Sequence, residues 1–314
     1  MQTYTGHIDL PESGRGAVIA IGNFDGVHKG HRVVIDQVRQ LAETLDAPLA
    51  VALFQPHPRS FFAPGARSFR LMSKNRRNET LAKLGVSRVY ELAFDADMAR
   101  MSPETFVDRV LHKGLGVRGI VTGEDFRFGA DRAGAISDLE ALGQARGIET
   151  AFAPLKGNGA DKISSTRIRK AIHDGDMMAA RELLGQSWSV EGVVIKGDQR
   201  GRTIGFPTAN LDMADFARPA YGVYAVQISI EGENDKRPGV ANIGKRPTVD
   251  GETELLEIHL LEFDGDLYGQ SLSVEFHAYL RAEQRFDGLD ALKAQIQKDV
   301  QSARRVLSAV TGPA

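Results

Sequence analysis

A ten-residue stretch, Gly22 to His31 (GNFDGVHKGH), constrains the fold of this 314-residue chain more than any other. It follows an apolar run, Ala17 to Ile21, with the length and bounds of a buried strand. It precedes Val34, Val38, Leu41 and Leu45, whose spacings of three and four predict a helix. Two imidazoles, His28 and His31, therefore fall in a glycine-laced strand-to-helix turn. Taken singly, each reads as a surface or capping residue; paired, and flanked by Gly26 and Gly30, they read as a ligand site. In an open α/β sheet the crevice at the carboxyl end of a strand binds ligands. Glycines allow close backbone approach, and a helix start offers N–H groups and a positive dipole end to an anion. A nucleotide phosphate suits such a turn.

Further along, Leu49–Phe54, Arg88–Phe94, Gly119–Thr122 and Ile148–Phe152 read as strands, with helices expected over Ser73–Leu84, Pro103–His112 and Ile136–Ala145. Strands alternating with helices imply right-handed βαβ units and a mostly parallel, Rossmann-like sheet. The length suggests about two domains. A net charge of −2 shows no basic excess for a polyanion, so no nucleic-acid partner is expected. The chain contains no cysteine, which excludes disulfides and thiolate chemistry. With neither a signal-peptide core near the start nor a membrane-length apolar run, the expected location is cytoplasmic, with no membrane partner.

The decapeptide resembles the HxGH element of nucleotidyltransferases, in the version carried by prokaryotic bifunctional riboflavin kinase/FAD synthetases (FMN adenylyltransferases). The resemblance implies that His28 and His31 are catalytic, binding ATP phosphates and stabilising charge as pyrophosphate leaves, with Gly22, Asn23, Phe24, Asp25 and Gly30 in the nucleotide site. Gly123–Gly129 (GEDFRFG), by itself a polar surface loop, resembles the family's loop that shapes the flavin and adenine pockets. Asp125 and Phe128 are thereby implied to bind flavin, together with His57 of the Gln55–Pro58 turn. Ile163–Arg169 (ISSTRIR) opens a helix in which Ser164 or Ser165 could serve as N-cap. It matches the superfamily's second nucleotide motif, implying phosphate contacts from Ser164, Ser165 and Thr166 and a catalytic role for Arg167.

A helix over Asp176–Leu184 ends at Gly185, placing the domain boundary between 1–185 and 186–314. Beyond it the period changes. Ser189–Ile195, Gly222–Ile230, Gly239–Ile243, Thr253–Phe263 and Ser271–Leu280 read as strands, and Leu289, Leu292, Ile296, Val300 and Leu307 form a helical stripe. A small antiparallel β-barrel packed by one C-terminal helix is expected. GVANIGKR (Gly239–Arg246) fits a P-loop only as far as its lysine, then fails at Arg246 and Pro247.

Gly197–Leu211 (GDQRGRTIGFPTANL), on its own a long hairpin loop, strongly resembles the riboflavin kinase motif. It implies that Gly197, Arg202, Gly205, Thr208 and Asn210 contact ATP, with Thr208 and Asn210 also ligating Mg²⁺. Lys196 stands where many members carry histidine. On alternation alone Glu257 lies on a solvated strand face. The resemblance makes it instead the catalytic carboxylate that accepts the riboflavin hydroxyl proton, with Arg281, Glu283 and Phe286 in the flavin loop. The implied activity is ATP-dependent conversion of riboflavin to FMN, then adenylylation of FMN to FAD, with Mg²⁺ as cofactor, ATP as co-substrate and FMN and FAD as products. The alternatives are a nucleotidyltransferase for another phosphorylated acceptor and a non-catalytic flavin-binding sensor. A homo-oligomer is compatible with the sequence.

Overall fold

The computed structural model describes residues 1–65, 68–154, 162–197, 201, 204–213, 215–248 and 251–311. The described chain divides into two units, one of 1–67 and 74–164, the other of 68–73 and 165–314.

The first unit carries six parallel strands, β1 (Gln2–Thr5), β2 (Val18–Ile21), β3 (Leu49–Gln55), β4 (Arg88–Ala93), β5 (Gly119–Gly123) and β6 (Glu149–Ala153), in the order β1-β4-β3-β2-β5-β6. Every residue of β2 is buried, as a central parallel strand covered on both faces requires. The helices are α1 (Lys29–Thr44), α2 (Pro58–Phe62), α3 (Lys74–Lys83), α4 (Ala96–Arg100), α5 (Pro103–Thr105) and α6 (Ile136–Gln144). α1 buries Ile35, Val38 and Ala42, so its core stripe runs one position past Val34. The helix expected from Pro103 begins as α5, capped by the Ser102 hydroxyl, and continues as a π-helix over Phe106–Leu115 that ends at left-handed Gly116. β1, at the sheet edge, is mostly exposed, and its polar sequence gave no strand signal.

The second unit contains α7 (Ser165–His173), α8 (Met177–Leu184), β7 (Trp188–Val193), β8 (Ala209–Asp212), β9 (Gly222–Ile230), β10 (Arg237–Thr248), β11 (Gly251–Leu260), β12 (Ser271–Arg281) and α9 (Leu289–Thr311). Its strands are antiparallel in the order β7-β12-β9-β10-β11-β8, and an Ile195–Asn210 bridge nearly closes the barrel. Trp188, Tyr224, Ile243, Leu256, Ile258 and Phe276 fill the interior, and Ile168, Ile172 and Leu184 of α7 and α8 join the same core. On the outer wall, Val223, Ala225 and Val240 pack against Ala303 and Leu307 of α9. Residues 68–73 are built into this unit: Trp188 donates its indole N–H to Leu71 O at 3.1 Å, and Arg70 bridges Phe216. GVANIGKR lies within β10, a strand rather than a phosphate loop.

Candidate active sites

β2 is the point where strand order reverses, with β3 on one side and β5 on the other, so the turn leaving it opens at the switch-point crevice. That turn places Phe24, Gly26 and Val27 at positive φ. A β-branched residue there is strained, and full burial of the Val27 side chain, with Phe24 only 2% exposed, holds the conformation. His28 then caps α1, its Nδ1 accepting from His31 N at 3.3 Å. A nitrogen that accepts carries no proton, so the neutral ring keeps its N–H at Nε2. The His28 and His31 rings stack with centroids 3.6 Å apart and planes 14° apart, and Phe24 packs on His31 at 4.7 Å. A Cβ on Gly30 would stand 3.2 Å from the His28 ring and 3.5 Å from Ile163 O. Glycine thus lets both the imidazole and the chain entering ISSTRIR lie against the start of α1.

A cavity of about 1230 Å³ opens beside this turn, lined by Gly22, Asn23, His57, Asp125 and Phe128 among others. The structure therefore brings together all three flavin residues expected in this half. His57 caps α2 by accepting from Arg59 N at 3.0 Å. Asp125 pairs with Lys162, and Phe128 stacks on Phe126 with planes 10° apart. Sequence reasoning missed most of the aromatic wall: Phe54, Phe61, Phe94 and Phe106 also line the cavity. Phe61 and Phe94 meet edge-on at 5.4 Å. They come from separate elements, and nothing local in the sequence pairs them.

α7 begins at Ser165, with Ser164 the residue immediately before it. Ile168 and Ile172 are fully buried, while Arg167 stays half-buried on the first turn. Ser164 closes the first unit; Ser165, Thr166 and Arg167 open the second.

In the barrel one row of side chains crosses five strands: Asn210 pairs with Glu257, Glu257 with Asn242, Asn242 with Val223 and Val223 with Arg281. Directly opposed residues share a face. All five line a cavity of about 630 Å³ on the outer wall, closed by Leu289, Leu292 and Ile296 of α9. Glu257 is thus half-buried in a cavity rather than on the solvated face its alternation suggests, because α9 roofs that face. Three of the five stripe residues, Leu289, Leu292 and Ile296, face this cavity, while Val300 and Leu307 pack in the core. Asn210 is 4% exposed, and a Cβ on Gly197 would meet its amide nitrogen at 2.5 Å. Gly205 is in the left-handed region at φ 89°. Arg202 lies outside the described residues. Thr208 and Asn210 both line the cavity, and Thr208 also walls a second one of about 330 Å³ bounded by Val194, Leu260, Phe263 and Tyr268.

Arg281 reaches both carboxylate oxygens of Asp299, Nε at 2.9 Å and Nη2 at 2.7 Å, and Gln295 donates to the same carboxylate at 2.9 Å. Its guanidinium stands 5.8 Å from the Phe286 ring centroid. Glu283 lies against Gly244, where any Cβ would collide with its carboxylate. Asn242 and Asp299 are functional candidates that the sequence alone did not single out, since only the ladder register and the α9 contact bring them to Glu257 and Arg281. Among the described residues, no cluster of three His, Cys, Asp or Glu side chains could hold a metal ion, and the Thr208 hydroxyl and Asn210 carboxamide are hard oxygen groups lining the same cavity. Also among the described residues, no helix is long and apolar enough to cross a membrane.

Residues 10–167 match the family model for FAD synthetase and residues 184–307 that for riboflavin kinase. A bifunctional riboflavin kinase/FMN adenylyltransferase from Pseudomonas fluorescens is 42% identical over 305 residues, covering 97% of each chain. The Escherichia coli K12 protein of the same name is 41% identical, covering 95% of each. A solved structure titled as a macrolide-efflux protein from Streptococcus pneumoniae superposes with a TM-score of 0.87 at 31% identity, covering 97% of this chain and 99% of that one. With both halves matched in order, over nearly its whole length, this chain belongs to the family of bifunctional riboflavin kinases/FMN adenylyltransferases.

Proposed function

We propose that this chain makes FAD from riboflavin in two ATP-dependent steps, phosphorylation by residues 186–314 and adenylylation by residues 1–185. The observation that carries the reading is the placement of Glu257 between Asn210 and Asn242 in one row, beside Thr208, in a cavity with an apolar wall. Glu257 accepts the proton of the riboflavin 5′-hydroxyl as that oxygen attacks the γ-phosphorus of ATP. The bond from phosphorus to ADP breaks, and FMN results. The isoalloxazine ring sits against Leu289, Leu292 and Ile296, and the nucleotide occupies the smaller cavity across Thr208.

Thr208 and Asn210 fit a Mg²⁺ ion as oxygen donors, the Asn210 amide being fixed by its packing on Gly197. Bound there, Mg²⁺ would neutralise charge on the ATP phosphates.

In the second step FMN supplies an ionised phosphate, so no base is needed. Its oxygen attacks the α-phosphorus of ATP and pyrophosphate leaves. His28 offers Nε2–H, and α1 its first N–H groups, to the developing charge. His31 is stacked beside His28, and the resemblance of ISSTRIR to a nucleotide motif makes Arg167 and the neighbouring hydroxyls candidate phosphate ligands. The flavin enters the aromatic cavity near His57, Asp125 and Phe128. Because both steps consume ATP, we place the enzyme in the cytoplasm.

Incubating the full chain with riboflavin, ATP and Mg²⁺ and separating the flavins tests this reading. FMN and FAD both form, and chelating Mg²⁺ stops them. FMN alone would indicate a failed transferase half, and no turnover with flavin still bound would point to a sensor.

A further inference from the structure

We propose that His259 is a positioning residue for riboflavin phosphorylation, holding the Phe206–Pro207–Thr208 turn that presents the Thr208 hydroxyl. The inference rests on the kinase reading above and assigns a role within that site. His259 lies two residues beyond Glu257 on β11 and so shares its face. Its Nδ1 is 2.9 Å from Pro207 O. A carbonyl only accepts, so this nitrogen carries the proton whether the ring is neutral or charged. The same ring meets Phe206 edge-on, centroids 5.4 Å apart and planes at 77°. One side chain therefore grips two successive residues of the turn.

The place of that grip matters. Behind it, Phe206 N donates to Gly201 O at 2.9 Å. Ahead of it, the ladder to β11 starts at Ala209, opposite Ile258. The His259 bond falls between these ties, on the residue directly before Thr208, whose side chain walls both cavities. Letting that peptide drift moves the hydroxyl that meets the ATP phosphates while leaving the Leu289–Ile296 flavin wall in place. Displacements of about 1 Å at such a group cost on the order of 100-fold in rate.

The test compares His259→Ala, His259→Asn and His259→Asp in the full chain. Asn puts an amide N–H donor where Nδ1 stands; Asp has the same shape and cannot donate. Riboflavin phosphorylation at varied MgATP, riboflavin binding by fluorescence without ATP, and FAD formation from supplied FMN are read in parallel. His259→Ala and His259→Asp lower kcat/KM for MgATP by tenfold or more, on the order of the loss of one positioning hydrogen bond. Both leave riboflavin binding and FAD formation at wild-type levels, and His259→Asn recovers most of the loss. The proposal is overturned if His259→Asp matches wild type, if Asn and Asp are equally impaired, or if riboflavin binding falls along with MgATP use. The Asn and Asp pair decides even where the Ala variant folds poorly. A wild-type chain that forms no FMN would remove the kinase reading itself, and this role with it.

Discussion

Glu257 and Asn210 are direct cross-strand partners in the β8–β11 ladder. A slip of one residue would turn Leu256 outward and bury the carboxylate in the barrel, so the pairing register itself aims the Glu257 carboxylate into the cavity. Glu257→Gln keeps the shape and removes the base. It lowers riboflavin phosphorylation by roughly 10²- to 10⁴-fold, while FAD formation from supplied FMN continues at the wild-type rate; separation of the flavin products reads both. Parallel loss of the two activities would show that one site serves both reactions.

Gly30→Ala places a methyl group 3.2 Å from the His28 ring, tight enough that the ring must shift. FMN adenylylation falls on the order of tenfold or more, as expected if the His28 ring meets phosphate, and riboflavin phosphorylation is unchanged. Pyrophosphate release from FMN and ATP measures the first, FMN formation the second.

Gly244→Val drives the Glu283 carboxylate off β10. Because Glu283 is an exposed, flexible side chain, the barrel survives and its circular dichroism is unaltered. The flavin loop loses its seat, so KM for riboflavin rises while KM for ATP holds in steady-state assays.

Asp299 is 5% exposed and anchors Arg281 to α9. Asp299→Ala leaves a largely buried guanidinium without its carboxylate, a change that costs about 3–5 kcal/mol in buried pairs. Urea unfolding records the loss as a lower midpoint for the barrel transition, and riboflavin phosphorylation declines with it.

His277 is buried, and neither ring nitrogen has a hydrogen-bond partner among the described residues. Burial pushes its pKa below the ordinary histidine value; the Glu275 carboxylate, 3.9 Å away, opposes this, and Arg181 and Lys236 reinforce it. The unfolded chain thus takes up a proton near pH 6.5 that the folded chain refuses. Stability from this residue is complete above that pH and is lost as pH falls from 6.5 toward the lowered native value. Denaturation at pH 7.5 and 5.5 shows a smaller acid-induced loss for His277→Leu than for wild type.

The strand-to-helix turn at Gly22–His31 was readable because a buried strand, glycines and a helical period adjoin one another in sequence. Local cues likewise marked Gly185, which ends α8 at φ 76°. What escaped was long-range. β8 hides inside a stretch that reads as loop, and only its pairing with Glu257 and Ile258 of β11 makes Asn210 and Ala209 strand residues. The roof over Glu257 comes from a helix more than thirty residues away in sequence. Alternation reports which face a residue takes, never what covers that face. The Phe54–Phe61–Phe94 wall and the Arg281–Asp299 pair went unseen for the same reason.

The short segment 68–73 bears on any attempt to separate the two catalysts. Trp188 opens β7 and hands its indole proton to a carbonyl located over a hundred positions upstream. A recombinant fragment starting at the apparent linker would leave that donor stranded and would strip Ile168, Ile172 and Leu184 from the hydrophobic interior. Scissors applied at residue 186 would therefore yield a wounded kinase, and its sluggishness would say nothing about cooperation between the halves.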